Sequence, residues 1–422
     1  MKNKKIIIFM ILVLLLIVLF IDNILTGRNI KELSETVPNN LGIQTHIASS
    51  DVDVTAIQNN GFKIVRDDIL WHRVEQTPNK YDFDTTGYDA YNNALMDHNI
   101  RPYYILSYSN SLYEKGNSVV TKRGRKAYTN FVRQAASRYK NQHAIWEIWN
   151  EPNSERFWSP TDSSAEKYTH LVKSASKTIK RSDPTGIVVA PALSTIDNNS
   201  FDWLEETFKQ GILKDIDALS VHLYRGTEPE TVIEDYKAIK KLIAKYSDKD
   251  IPVLSGEWGY STGEAFYGVE LDQRQQAQYL VRMYLINMYL GIPINIWYDW
   301  QGHSSNVDDG EHNFGIREFG TQQPKEASLG ASTLANTLNG YKFLKRIELN
   351  DNKDYIFEFI NNKGEVIYVC WTRGTEHAIT WPGTEQIKGQ VISMLGEQLG
   401  VVDTGNSSIN LSKSPIYIKV LN

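Results

Sequence analysis

The chain contains one cysteine, Cys370, among 422 residues, so an intramolecular disulfide framework is excluded. It has no long basic run beyond its first five positions, and its net charge is −5. A nucleic-acid partner, which needs concentrated positive charge, is not expected. Nine scattered histidines form no His-x-x-x-His pair, so neither a metal nor any other cofactor is called for. Internal repeats and low-complexity tracts are also missing. What is abundant is apolar and aromatic material, 41% and 11% of the chain, with ten Trp and twenty-three Tyr. That is enough for a large core and two domains.

Residues 6–21 form one unbroken apolar run, preceded by Lys2, Lys4 and Lys5 and closed by Asp22 and Asn23. Sixteen residues is long for a signal-peptide core and short for a membrane span. No small-x-small cleavage site follows. The reading preferred is an uncleaved signal anchor over residues 1–27, lysines inside and the remainder outside the cell. Secretion after cleavage is the alternative. Residues 28–40 then serve as a polar stalk.

From residue 41 onward, short apolar stretches alternate with segments of helical period. The expected strands are 41–47, 62–67, 101–107, 145–150, 187–190, 218–223, 252–255 and 293–298. Between them, Tyr128, Phe131, Val132, Ala135 and Tyr139 share a helical face, as do Tyr168, Leu171, Val172, Ala175 and Ile179. Eight such alternations predict a (β/α)8 barrel over residues 41–337. A doubly wound open sheet is the rival, but its Gly-rich phosphate turn is absent after the first strand. Beyond residue 338 the helical period stops, and alternating runs between turn signals predict a small β-sandwich at 338–422.

The chain is organised around Ile145-Trp146-Glu147-Ile148-Trp149-Asn150-Glu151-Pro152. Pro152 cannot donate to a ladder and pushes Glu151 out of the helical region, so a carboxylate stands at the exit of a buried strand. Val253-Leu254-Ser255-Gly256-Glu257-Trp258 repeats the pattern. The two glutamates are 106 positions apart (151 to 257), about three units of a typical 250-residue barrel. Both carboxylates should therefore face one cavity.

Trp149-Asn150-Glu151-Pro152 with Gly256-Glu257-Trp258 resembles the catalytic pair of the retaining glycoside hydrolases of clan A. The barrel followed by a β-sandwich is most similar to glycoside hydrolase family 39, including its bacterial exopolysaccharide endoglycosidases. The resemblance implies Glu151 as acid/base and Glu257 as nucleophile. It also implies substrate contacts from Asn150, Arg66, His222 and Tyr224. Trp297 is implied as the ring beneath the sugar, with Trp300 as the alternative. The chemistry agrees. Two glutamates about 5–5.5 Å apart permit double displacement with retention, and the charge of Glu257 beside an aromatic wall should hold a proton on Glu151.

Among the other candidates, His46 either lines the sugar site or is a plain hydrogen-bonded histidine. Asp67 is expected to orient Arg66, and Asp68 to open a helix. The loop Asp308-Asp309-Gly310-Glu311-His312 reads as solvated rather than as a cation site, and Cys370 as packed and inert. The function implied is an anchored, extracellular retaining glycosidase, monomeric, cutting within a surface or secreted polysaccharide such as a biofilm exopolysaccharide. Two other readings stay open: an exo-acting β-xylosidase-like enzyme, and a non-hydrolytic glycan-binding protein on a decayed barrel.

Overall fold

The computed structural model describes residue 30 and residues 34–159, 164–264 and 267–421. The expected signal anchor lies outside these residues. Among the described residues, no helix is long and apolar enough to cross a membrane.

Nine parallel strands form one curled sheet. They are β1 (Leu41–Gln44), β2 (Ile64–Leu70), β3 (Arg101–Ser107), β4 (Ile145–Ile148), β5 (Ile187–Val189), β6 (Leu193–Ser194), β7 (Leu219–His222), β8 (Val253–Trp258) and β9 (Asn295–Trp297). Strand β1 pairs with both β2 and β9. A bridge from Val189 to Ala218 joins β5 to the residue ahead of β7, so the sheet closes into a barrel, with β5 and β6 together making one stave. Closure rules out the open-sheet rival.

The helices outside follow from their apolar faces. The helix Lys122–Arg138 buries Tyr128, Phe131, Val132 and Ala135 and begins where the Thr121 side chain accepts from Gly124 N. The helix Ala165–Ser182 buries Tyr168, Leu171, Val172, Ala175 and Ile179 and is capped by Ser164. The helix Gln273–Tyr289 is buried on nearly every side. It starts with a capping box in which Asp272 and Gln275 satisfy each other's backbone amides.

Side chains alternate across each strand, and the inward set forms a separate cluster that includes Ile64, Tyr103, Ile145, Ile187, Leu254 and Ile296. Ile30 joins this cluster and is fully buried. Since these residues sit at the N-terminal ends of their strands, Ile30 plugs the floor of the barrel. The segment expected as a free stalk is thus packed. Ser34 Oγ donates to the Ile30 carbonyl at 2.7 Å, and Val37 exchanges backbone hydrogen bonds with Gly340 and Tyr341. The reason is composition: Ile30 and Val37 gain by leaving water.

The C-terminal region holds β10 (Lys342–Ile347), β11 (Asp354–Ile360), β12 (Val366–Thr372), β13 (His377–Ile379), β14 (Lys388–Ile392), β15 (Gln398–Asp403), β16 (Ile409–Leu411) and β17 (Ile416–Val420). Six form an antiparallel sheet in the order β10-β11-β12-β17-β14-β15, and β13 pairs with β16. Tyr355, Phe357, Phe359 and Trp371 belong to the same core as the barrel. Ile356, Cys370 and Ile418 pack with Ile409 and Leu411 of β16 instead. Cys370 is fully buried, and burial pushes its thiol pKa up, as expected of an inert packed cysteine. The junction is also polar: Trp371 Nε1 donates at 2.8 Å to Glu230, whose carboxylate takes two hydrogen bonds from Arg282.

Ile30→Ala should lower stability by about 2–5 kcal/mol, the usual cost of truncating a buried isoleucine. The urea midpoint of the chain beginning at Arg28 reads this; an unchanged midpoint would mean that the barrel floor does without the plug.

Candidate active site

The residues at the C-terminal lip of the barrel come from the inward parity of successive strands. Gln44 ends β1, Arg66 and Asp68 lie on β2, Glu147 on β4, His222 ends β7 and Glu257 lies on β8. They surround a cavity of about 230 Å³ whose lining includes His46, Asp68, Asn150, Glu151, Tyr224 and Glu257. That is below the roughly 300–1,000 Å³ of sites for drug-sized ligands, so the cavity suits one reacting ring rather than a whole oligosaccharide.

Arg66 is fully buried at its base. Its Nε donates to Glu147 Oε2 at 2.8 Å. Nη1 donates to Gln44 Oε1 at 2.8 Å and Glu257 Oε2 at 2.6 Å. Nη2 donates to Asn150 Oδ1 at 2.8 Å and meets His222 Nε2 at 3.3 Å. A guanidinium has five N–H donors and no acceptor, so every donor is engaged. Burial opposes its charge, but the carboxylates of Glu147 and Glu257 outweigh this and raise its pKa well above the ordinary value.

Because Arg66 can only donate, His222 Nε2 must accept, which leaves the proton on Nδ1. That nitrogen lies 2.9 Å from Glu151 Oε1 and 3.9 Å from Glu257 Oε2. Oxygens of Glu151 and Glu257 lie within 4.8 Å of each other. This separation is just under the roughly 5–5.5 Å of retaining pairs and well below the 6.5–9.5 Å of inverting pairs.

The two glutamates reach their places by different backbone devices. At Glu151 the chain leaves the strand early: β4 ends at Ile148 rather than Asn150, and Trp149 and Glu151 take φ of 71° and 46°. Non-glycine residues held in this region cost of order 1–3 kcal/mol each and cluster at functional sites. At Glu257 the register against β7 slips, Val221 facing Ser255 and His222 facing Glu257. The extra residue, Gly256, makes a bulge that re-aims Glu257. A Cβ at Gly256 would sit 2.0 Å from Ser220 Oγ, so any side chain there would force Ser220 to turn. Once there, Glu257 accepts from Tyr224 Oη at 2.7 Å. Burial resists its ionisation, but His222, Arg66 and the Tyr224 hydroxyl prevail and hold its pKa below the usual value.

The structure also corrects four expectations. Asp67 does not touch Arg66: it faces outward, accepting from Thr45 Oγ1 at 2.6 Å and Ile47 N at 3.1 Å. Asp68 starts no helix; it faces inward two residues after Arg66 and lines the cavity. Trp297 and Trp300 are 0% and 1% exposed and belong to the surrounding core, and the ring that reaches the cavity at this stave is Tyr298. Trp297 and Tyr298, adjacent in the chain, face opposite ways, while Trp300, beyond the end of β9, packs against Phe62 and beneath Arg317. His46 lines the cavity, with its Nε2 lacking a hydrogen-bond partner.

Other participants carried no motif. Arg156 and Phe157 follow β4, Tyr267 lies after β8, and Glu311 comes from the acidic loop read as solvated; all four reach the cavity. The string Gly259-Tyr260-Ser261-Thr262-Gly263 has the spacing of a serine-hydrolase elbow. Ser261 is 4% exposed and its hydroxyl accepts from Gly263 N, so it is no presented nucleophile. Two groups among the described residues bring three possible metal ligands within 4.8 Å of one another. Glu151, His222 and Glu257 are already joined by the hydrogen bonds above. His46, Asp299 and His303 are the other group, with His303 Nε2 2.5 Å from Asp299 Oδ2.

The family model described as cellulase (glycosyl hydrolase family 5) matches residues 31–304. No curated protein sequence was found to match the chain. Solved structures share the fold. A family 39 glycoside hydrolase from Bacteroides cellulosilyticus WH2 is 23% identical with a TM-score of 0.77, covering 92% of this chain and 82% of that one. A monomeric β-xylosidase from Caulobacter crescentus CB15 is 13% identical with a TM-score of 0.64 over 90% and 95%. A family 30 endoxylanase from Clostridium papyrosolvens C71 is 12% identical with a TM-score of 0.64 over 92% and 98%. The expected clan is thus found. Family 39 is represented among the structures, while the matching sequence family is family 5.

Asp67 supplies a pH test. Burial raises its carboxyl pKa to about 8 from 3.8. Between those values the folded chain keeps a proton that the unfolded chain releases, so stability falls as pH rises. Asp67→Asn removes this titration. From pH 5 to 8 the variant should gain on the wild type by about 1.4 kcal/mol per pH unit, measured by urea unfolding. A constant difference across that range would show that Asp67 is ionised throughout.

Proposed function

This chain belongs to the cellulase family, glycosyl hydrolase family 5, and is a glycoside hydrolase acting on carbohydrate; we propose that it cleaves O-glycosidic bonds by double displacement, with Glu257 as nucleophile and Glu151 as acid/base. The observation that carries this is the pair of carboxylates within 4.8 Å, one bound by Arg66 and Tyr224 and the other by His222.

In the first step a Glu257 oxygen forms a bond to the anomeric carbon as the bond to the leaving oxygen breaks, and Glu151 gives that oxygen its proton. Arg66 and Tyr224 keep Glu257 ionised and aligned for attack. Asn150 Oδ1 is occupied by Arg66, which leaves the amide hydrogens to donate to the sugar's 2-hydroxyl. In the second step Glu151 takes a proton from water, the water oxygen bonds to the anomeric carbon, and Glu257 is released. Glu151 is ionised for this second step because it gave its proton to the leaving oxygen in the first.

The substrate of this reading is a surface or secreted polysaccharide cut internally. The enzyme acts as a monomer, held at the membrane by residues 1–27 with the barrel outside. Support comes from the apolar run at 6–21 and from the resemblance to exopolysaccharide endoglycosidases. A second reading, exo-action, is favoured by one feature. Arg156 and Glu311 come from staves on opposite sides of the barrel and pair at 3.6 Å across the mouth. Both are exposed, so the link is weak, and a polymer entering mid-chain has to part it.

The soluble chain from Arg28, incubated with bacterial exopolysaccharides and plant xylans, should release oligosaccharides. Glu151→Gln should lose about 10²–10⁴-fold in rate, and Glu257→Gln all turnover. A single sugar as sole product would establish the exo reading. Binding without any product would leave a glycan-binding protein. An activated 2-fluoro glycoside should label Glu257, detected as added mass on its peptide; labelling elsewhere would overturn the assignment.

A further inference from the structure

One acidic group in the cavity has no place in that mechanism. Asp68 follows Arg66 by two positions on the inward face of β2 and lines the cavity. Its Oδ1 accepts from Ser107 Oγ at 2.5 Å. Among the described residues, no donor reaches its Oδ2. Burial raises its carboxyl pKa above the ordinary value, opposed by the Ser107 hydrogen bond and by attraction to His46 and Arg66, while Glu257 adds to the rise.

The charges around it are otherwise matched. All five Arg66 donors are engaged, two of them on Glu147 and Glu257. Arg156 is paired with Glu311. These are the two guanidinium groups among the described lining residues, and no lysine accompanies them. Apart from Arg156, whose exposed pairing with Glu311 is weak, the cavity therefore offers no guanidinium to a ligand's carboxylate, and its lining carries four carboxyl groups, Asp68, Glu151, Glu257 and Glu311. It does offer an open carboxylate oxygen to a ligand's hydrogen-bond donor.

Resting on the glycosidase reading above, we infer that Asp68 sets the substrate class of this site. It accepts a hydrogen bond from a hydroxyl or ammonium group of the sugar, and with Glu257 and Glu311 it excludes uronic acids. A uronate would be brought against like charges with its own water removed, an arrangement that costs several powers of e in binding. Neutral and amino sugars meet an acceptor instead.

The test separates binding from turnover. In the Glu151→Gln background, which keeps the Glu257 charge and suppresses turnover, calorimetry with neutral xylo- and cello-oligosaccharides, chitosan oligosaccharides and oligogalacturonates reads selectivity. At least about 100-fold weaker binding of the uronates is expected. Asp68→Asn should narrow that gap by about tenfold or more, chiefly by weakening the neutral or amino ligand, and Asp68→Lys should narrow it further. Whichever of the neutral and amino ligands loses more to Asp68→Asn identifies the donor that Asp68 reads. Uronates bound as tightly as neutral oligosaccharides, or a gap unmoved by both substitutions, would overturn the proposal. Circular dichroism of each variant distinguishes this from misfolding. If the wild type cleaves nothing while the binding order stands, the hydrolytic reading fails and the specificity of the site survives.

Discussion

A single buried cation holds the site together. Taking a guanidinium out of water is tolerated only where its charge and all its donors are met, and the interior of this barrel meets them from four staves. Gln44, Glu147, Asn150, His222 and Glu257 each present an acceptor to Arg66. The consequence is orientation. Arg66 decides which nitrogen of His222 carries the proton, which end of the Asn150 amide is free and which oxygen of Glu257 is bound. Glu147 takes part in this without lining the cavity, because it shares the positive charge that would otherwise fall on Glu257 alone.

The backbone around that centre departs from regular barrel geometry where the glutamates leave it. β4 breaks into left-handed conformations at Trp149 and Glu151, and β8 bulges at Gly256. Such features are unfavourable locally and persist because the surroundings determine them. Trp149 is enclosed by Tyr108, Tyr128 and Trp158, an aromatic packing that supplies the compensating contacts. At the opposite end of the barrel the needs are simpler: apolar side chains fill the floor, and Ile30 closes it. The C-terminal sheet adds a further apolar face, and its Trp371 reaches the buried Arg282–Glu230 pair of the barrel. Rigidity is thereby concentrated below and beside the site. The mouth is spanned by an exposed ion pair that holds weakly, leaving it the part most easily opened for substrate.

Much of this was legible in the chain alone. The alternation of strands and helices, the change to β structure after residue 338, and the exit glutamates of two strands are local patterns, set by hydrophobic period and by Pro152. The expected strand at 101–107 coincides with the one formed. Glu151, Glu257, Arg66, Asn150, His222 and Tyr224 meet as their motifs implied. What escaped was phase and long-range company. Asp67 and Asp68, like Trp297 and Tyr298, are neighbours in sequence whose faces differ by one step of the pleat. Composition assigns no face to either. Arg156 and Glu311 come together only because barrel closure places their loops across one mouth.

The sequence by itself therefore determined the kinds of element, their order and the two carboxylates, since each depends on residues within a few positions of one another. Tertiary structure decided which side chains point into the cavity, the tautomer of His222, the burial of the supposed stalk and the unmatched charge of Asp68. Those depend on the register of a closed sheet and on acceptors from distant strands, and no short stretch of chain contains them.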